Sequence, residues 1–157
     1  MKTNIGLPSK TREHTVDLLS RLLADEHVLY IKTRNFHWNV TGPHFSALHA
    51  LFEEHYTALA GTIDDIAERI RALGAYAPGS MKEFSKLARL KEAPGGSLAD
   101  TRMLTALLAD HESIIRQLRA DITVTGDKLG DEATTDFLTG LLAAHEKTAW
   151  MLRATLS

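Results

Sequence analysis

Between His49 and Glu68 the chain sets four side chains of metal-binding type on one face of a single helix, in two clusters too far apart to share an ion. With His49 at zero on a wheel of about 100° per residue, Glu53 falls at about 40°, Asp64 at about 60° and Glu68 at about 100°. Glu53 and Asp64 are 11 residues apart, or roughly 16 Å of axial rise, whereas metals in a shared site stand about 4 Å apart. One copy of this helix cannot close a site, so a second set of ligands must come to each cluster. An antiparallel second copy supplies it: the pair His49 and Glu68 and the pair Glu53 and Asp64 share one midpoint. A two-fold axis there puts His49 opposite Glu68 and Glu53 opposite Asp64, twice over. The same face carries Thr57, Ala60 and Ala67, small enough for two helices to approach closely, and isologous dimers are the commonest symmetric assembly. The spacing predicts an intersubunit site.

His37 lies a short loop before His49 and can fold back onto the same end of that helix, completing two imidazoles and three carboxylates. Such mixed nitrogen and oxygen ligands suit iron, and equally zinc or manganese. The chain has no cysteine, which removes disulfides, thiolate zinc sites and copper(I) or iron–sulfur ligation, and is compatible with a reducing cytosol.

The rest of the chain supplies a scaffold. Val16, Leu19, Leu22, Leu23 and Tyr30 recur at spacings of three and four after Pro8 and Ser9, predicting a first helix, α1, over about 10–38. Asn39, Gly42 and Pro43 break it in a loop short enough to join antiparallel neighbours. Phe45, Leu48, Phe52, Leu59, Ile63, Ile66 and Ile70 give α2 over about 44–73. From Gly74 to Ser97 runs the longest connection, with Met81 to Leu90 reading as a short helix, α3, inside it. A link of that length carries the chain across the molecule. A capping signal at Ser97 and Asp100 and a stripe from Leu104 to Ile122 predict α4, ending near Thr125 ahead of Gly126 and Gly130. Asp131 caps α5, whose stripe runs from Phe137 to Leu152. The expected fold is all-α: an up-down-down-up four-helix bundle over 10–157, behind a short tail over 1–9.

The 157 residues fit one domain. With 18 Lys+Arg against 20 Asp+Glu and a formal net charge of -2, the composition announces neither a nucleic-acid nor a membrane partner. The N-terminus lacks the apolar stretch of a signal peptide, and no run of about 18 apolar residues exists to span a bilayer. The expected setting is cytoplasmic, with nucleoid association as a variant of it.

The string H-W-N-V-x-G-x-x-F-x-x-L-H-x-x-F-E from His37 to Glu53, followed by D-D-x-A-E-R from Asp64 to Arg69, resembles the ferroxidase signature of the Dps-type mini-ferritins. The likeness extends to the helix lengths, the short helix in the long connection and the ending H-E-K-T-A-W-M-L. It implies a ferritin-like bundle assembled into a dodecameric shell of two-fold dimers. Such a shell binds ferrous iron, oxidises it with hydrogen peroxide and stores ferric mineral. His37, His49 and the bridging acid Glu53 would come from one subunit, with Asp64 and Glu68 from its mate, in agreement with the spacing argument. The family often has Asp where this chain has Glu53, so a longer side chain holds the metals here. Larger ferritins use Glu-x-x-His motifs in the bundle core, and no Glu here is followed three residues on by His.

The resemblance also makes Asp121, Asp127, Asp131, Glu132 and Asp136 candidates for a three-fold pore that admits iron, Asp127 and Asp136 foremost. The plainer reading is an acidic cap at a helix start. Trp38, beside His37, is a candidate shield or radical trap, against a packing role. His111 and His145 fall on apolar stripes and read as hydrogen-bonded core histidines. His44 and His55 are candidates for outer contacts to the metal rather than ligands, Glu54 and Asp65 point about 100° away from it, and His14 and His27 read as structural. Two competing functions remain: a nucleoid protein bridging DNA, and a structural zinc site at a dimer interface. The first needs clustered cations, and the lead before α1 offers only Lys2, Lys10 and Arg12, so DNA binding is expected to be weak.

Overall fold

The computed structural model describes residues 3–157; Lys2 of the basic lead lies outside them. Five helices follow in order, α1 (Ser9–Asn39), α2 (Phe45–Ala72), α3 (Met81–Leu87), α4 (Asp100–Thr123) and α5 (Glu132–Leu156), with a π turn, Val124–Lys128, prolonging α4. No strand occurs among the described residues. The leucine pattern of α1 works as expected: Leu19, Leu22, Leu23 and Leu29 are fully buried against Phe52, Ile66 and Ile70 of α2 and Leu107, Ile114 and Leu118 of α4. Burying apolar area of this kind, worth about 25 cal/mol per Å², is the main force closing the bundle.

Polar links set which helices neighbour which. Lys32 of α1 donates to Asp110 of α4 at 2.6 Å. Arg69, near the end of α2, reaches Asp131 and Thr134 at the start of α5, while His55, early in α2, shares a groove with His145, late in α5. α2 and α5 therefore run antiparallel, and the expected up-down-down-up order holds.

The crossover is fastened at three points. Gly74 turns the chain with φ +89, and a Cβ there would run into the Thr3 side chain, so the N-terminal segment docks over a position that strongly favours glycine. Ser80 and Glu83 form a reciprocal capping box that starts α3, and Phe84 stacks on His27 with centroids 3.8 Å apart. Beyond α3, the buried Asp25 carboxylate accepts from the backbone N–H of Arg89 and Leu90 and from Arg89 Nε. That pull explains why α3 ends at Leu87 rather than near Leu90: the next amides turn to Asp25 instead of continuing the helix.

Two other boundaries differ from expectation. Ser97 does not cap α4, which begins after Ala99 with no side-chain cap. At its far end Gly126 does not stop the helix; the backbone widens into the π turn, and the stop falls at Gly130, φ +62. The wider turn brings buried Thr125 Oγ1 to the hydroxyl of Thr135, 2.9 Å away, tying the two helices together.

Candidate metal centre

α1 delivers His37 to the first turns of α2, and the two chain segments grip each other through their histidines. His37 Nδ1 donates to the carbonyl oxygen of His49 and His49 Nδ1 to that of His37, each at 2.8 Å. A carbonyl only accepts, so both Nδ1 atoms carry the proton and both Nε2 atoms keep a lone pair. A backbone carbonyl holding one ring nitrogen while the other stays open is how metal-binding histidines are oriented. The two rings stack at 3.8 Å with Phe45 behind His49 at 5.1 Å, and Tyr56 stands edge-on to His37 at 5.2 Å. His37 is buried and His49 half-buried, so the donors are fixed before any ion arrives.

The carboxylates behave differently. Glu53, Asp64 and Glu68 are all exposed on α2, and Glu53 has only a long 3.5 Å contact from the Tyr56 hydroxyl. Among the described residues no three His, Asp or Glu side chains already surround one point. One chain therefore offers a rigid pair of imidazoles at one end of the face and free carboxylates along it. Trp38 is 63% exposed, with the Arg34 guanidinium 4.9 Å above its ring, so it does not pack inside its own chain.

The acidic cluster near α5 divides. Asp131 is 2% exposed, accepts from Thr134 N–H as the cap of α5 and pairs with Arg69. Asp121 is buried beside Gln117, and burial raises its carboxyl above the ordinary value despite that hydrogen bond. These two carboxylates are taken up by contacts inside their own chain. Asp127, Glu132 and Asp136 are exposed.

The remaining histidines separate as clearly. His44 is exposed and pairs with Asp100 at 3.1 Å, the contact that contributes most to lowering the Asp100 carboxyl. His27 is fixed by Leu23 O and the Phe84 ring. His55, expected near the metal face, is instead buried and turned inward toward His111. His111 and His145 are core residues as expected, their Nδ1 atoms 2.9 Å apart. Glu26, which sequence reasoning passed over, is fully buried beside His145; an acid directly after Asp25 in an otherwise apolar helix stretch was the available signal.

The ferritin-like domain family matches residues 16–157. The chain is 40% identical over 145 residues to DNA protection during starvation protein 2 of Bacillus anthracis, covering 92% of this chain and 98% of that one. It is 48% identical over 133 residues to an uncharacterized low temperature-induced protein of Nostoc, covering 85% and 74%. Among solved structures, the DPS protein of Vibrio cholerae, described as a member of a broad superfamily of ferritin-like diiron-carboxylate proteins, superposes with a TM-score of 0.93 at 35% identity, covering 100% of this chain and 98% of that one. A Dps protein of Bacillus brevis superposes at 0.90 with 38% identity over 100% of both. The four-helix bundle with this crossover and the family match over residues 16–157 make the chain a ferritin-like protein. Within that family the chain belongs to the Dps proteins.

Proposed function

We propose that this chain forms a homo-oligomeric shell, a dodecamer built on two-fold dimers, that oxidises ferrous iron at sites shared between two copies of α2 and stores the ferric product as mineral. Hydrogen peroxide is the preferred oxidant. Two ferrous ions each give one electron to one peroxide, which takes up two protons and leaves as water, so no hydroxyl radical is released and DNA nearby is spared. The reading rests on the reciprocal His37 and His49 hydrogen bonds, which leave two oriented Nε2 lone pairs at one end of a face whose other end carries exposed carboxylates.

In this scheme His37 and His49 hold iron through Nε2, Glu53 bridges the two ions, and Asp64 and Glu68 of the second copy close the site. Glu53 reaches about one bond further than an aspartate, which changes the metal spacing or occupancy it supports, and the mixed nitrogen and oxygen ligands also suit zinc or manganese. Trp38, exposed beside His37, intercepts radicals that escape the pair. Asp127, Glu132 and Asp136 draw cations toward a three-fold pore. No described helix is long and apolar enough to cross a membrane, in keeping with a cytoplasmic shell. The DNA-bridging alternative gains no observation: Arg12 is committed to Leu73 O and Ser9 Oγ within its own chain.

Co-assembly tests the shared site. His49→Ala and a chain carrying both Asp64→Ala and Glu68→Ala should each lose peroxide-driven iron oxidation. Mixed at random in one shell, half of the dimers are hybrids and each hybrid has one intact site, so about a quarter of the wild-type activity should return. No recovery in a properly assembled hybrid shell overturns the shared site. Binding limited to a few ions per dimer, with no mineral after repeated iron addition, overturns storage in favour of a structural metal.

A further inference from the structure

A second group of ionisable side chains lies inside the bundle, away from the α2 face just described. Each long helix contributes one: Glu26 from α1, His55 from α2, His111 from α4 and His145 from α5, exposed by 0%, 6%, 3% and 4%. Buried polar groups normally find hydrogen-bond partners, and those that do not require an explanation such as an ion or water. Here neither nitrogen of His55 and neither oxygen of Glu26 receives a well-aligned hydrogen bond. His145 Nε2 stands 2.9 Å from Glu26 Oε1, an ion-pair distance without hydrogen-bond alignment, and the ring's other nitrogen is Nδ1. That Nδ1 faces the Nδ1 of His111. Apolar residues of similar size would be cheaper to bury than this set.

We propose that His55, His111 and His145 form a binding site for a divalent transition metal of the zinc and ferrous iron class, with Glu26 orienting His145 from behind. The distances support it. Two nitrogens on one tetrahedral metal at about 2.05 Å lie about 3.3 Å apart, and the centroids of their rings about 5.2 Å. The His111 and His145 nitrogens are 2.9 Å apart and their centroids 5.0 Å, so this pair needs only a few tenths of an ångström. The His55 centroid is 6.4 Å from that of His111, about 1 Å too far, so metal binding requires the His55 ring to move toward the other two, since no three such side chains among the described residues already surround one point. Glu26, 2.9 Å from His145 Nε2, is placed where a small realignment would make it the carboxylate partner that fixes ligand tautomer and raises basicity in a carboxylate–histidine–metal relay. The site is also reachable. A groove of about 450 Å³ opens between α2 and α5 directly over the three imidazoles, with Glu54, Lys147 and Thr148 on its lining. A metal held by the three imidazoles would be reached from that groove by water or a small anion.

This site is independent of the one between subunits, and the test keeps them apart. Metal-free assembled protein carrying His49→Ala and Glu68→Ala is titrated with Co²⁺ in the presence of a competing chelator. One Co²⁺ per chain with the intense visible bands of a tetrahedral, nitrogen-rich site is expected. Adding Glu26→Gln should weaken it by about tenfold to a hundredfold, and adding His111→Asn should abolish it. Because the core variants can fold poorly, anomalous diffraction from Co²⁺-soaked crystals of the unaltered protein gives a second readout. A peak between His55, His111 and His145 supports the site. Its absence at saturating Co²⁺, or a tetrahedral spectrum that persists in His111→Asn, overturns it.

Discussion

Arg69 Nη2 lies 3.2 Å from Asp131 Oδ1, joining the last turn of α2 to the cap of α5. The guanidinium also donates twice to Thr134 Oγ1, whose own hydroxyl donates to Asp131 Oδ2. Asp131 is thereby cap, acceptor and ion-pair partner at once. Arg69→Ala should leave its buried carboxylate unpaired and cost about 3 kcal/mol. Urea unfolding checks this, and Asp131→Asn should cost less because an amide oxygen still caps the helix.

The histidine pair predicts an orientation effect separate from ligation. His37→Gln and His49→Gln each remove an Nε2 ligand and also release the partner's backbone carbonyl. Either should reduce peroxide-driven oxidation by at least about tenfold. Replacing Phe45 with Ala should leave all ligands in place but loosen the His49 ring, giving weaker ferrous binding with a smaller loss of maximal rate. Stopped-flow oxidation over a range of ferrous concentrations separates the two patterns.

Within the acidic cluster, burial sorts rate from stability. Asp127→Asn with Asp136→Asn should slow oxidation several-fold at limiting ferrous iron, lose much of its sensitivity to ionic strength and recover at high iron, as expected when a focusing field is removed. Asp131→Asn should lower the unfolding midpoint and leave the salt dependence of the rate unchanged.

Burial gives His111 a pH signature. Desolvation first, then the neighbouring His145 and His55, hold its pKa well below 6.5, and burial lowers His55 as well, against the raising influence of Glu54. Below about pH 6.5 the unfolded chain takes up protons there that the folded chain refuses, so stability is full above that value and declines as pH falls. Asp110 and Asp121, raised chiefly by burial, act in the opposite sense: the folded chain retains their protons above pH 3.8, and their contribution is lost as pH rises through that range. From pH 7 to 5 the metal-free protein should therefore lose stability, and His111→Leu should flatten the slope by up to about 1.4 kcal/mol per pH unit, the value for one proton. Denaturant unfolding at a series of pH values measures it.

The helices were legible because their apolar residues repeat every three or four positions; expected and observed limits of α1 and α2 agree within a residue or so. The proposal of a site shared between two copies of α2 also starts from the sequence, since a gap of 11 residues on one helix is a distance. What escaped depends on partners remote in sequence. Nothing near Arg89 announces that its amide turns to Asp25 and shortens α3. Gly126 reads as a helix stop unless one knows that Thr125 must meet Thr135. Asp121 and Asp131 looked like surface acids because charge pattern carries no record of depth. His55 sat two residues from a ligand candidate, yet two residues on a helix is about 200° of rotation, enough to turn it from the metal face into the core.

The crossed hydrogen bonds between His37 and His49 couple binding to fraying. Opening the end of α1 or the first turns of α2 breaks a hydrogen bond of each ring, so loosening one segment loosens the other. An ion held by both Nε2 atoms consequently slows the exchange of amide hydrogens around residues 37–53, by a factor that grows with ion concentration over its dissociation constant. Local melting of these two helix ends and release of the ion become the same event.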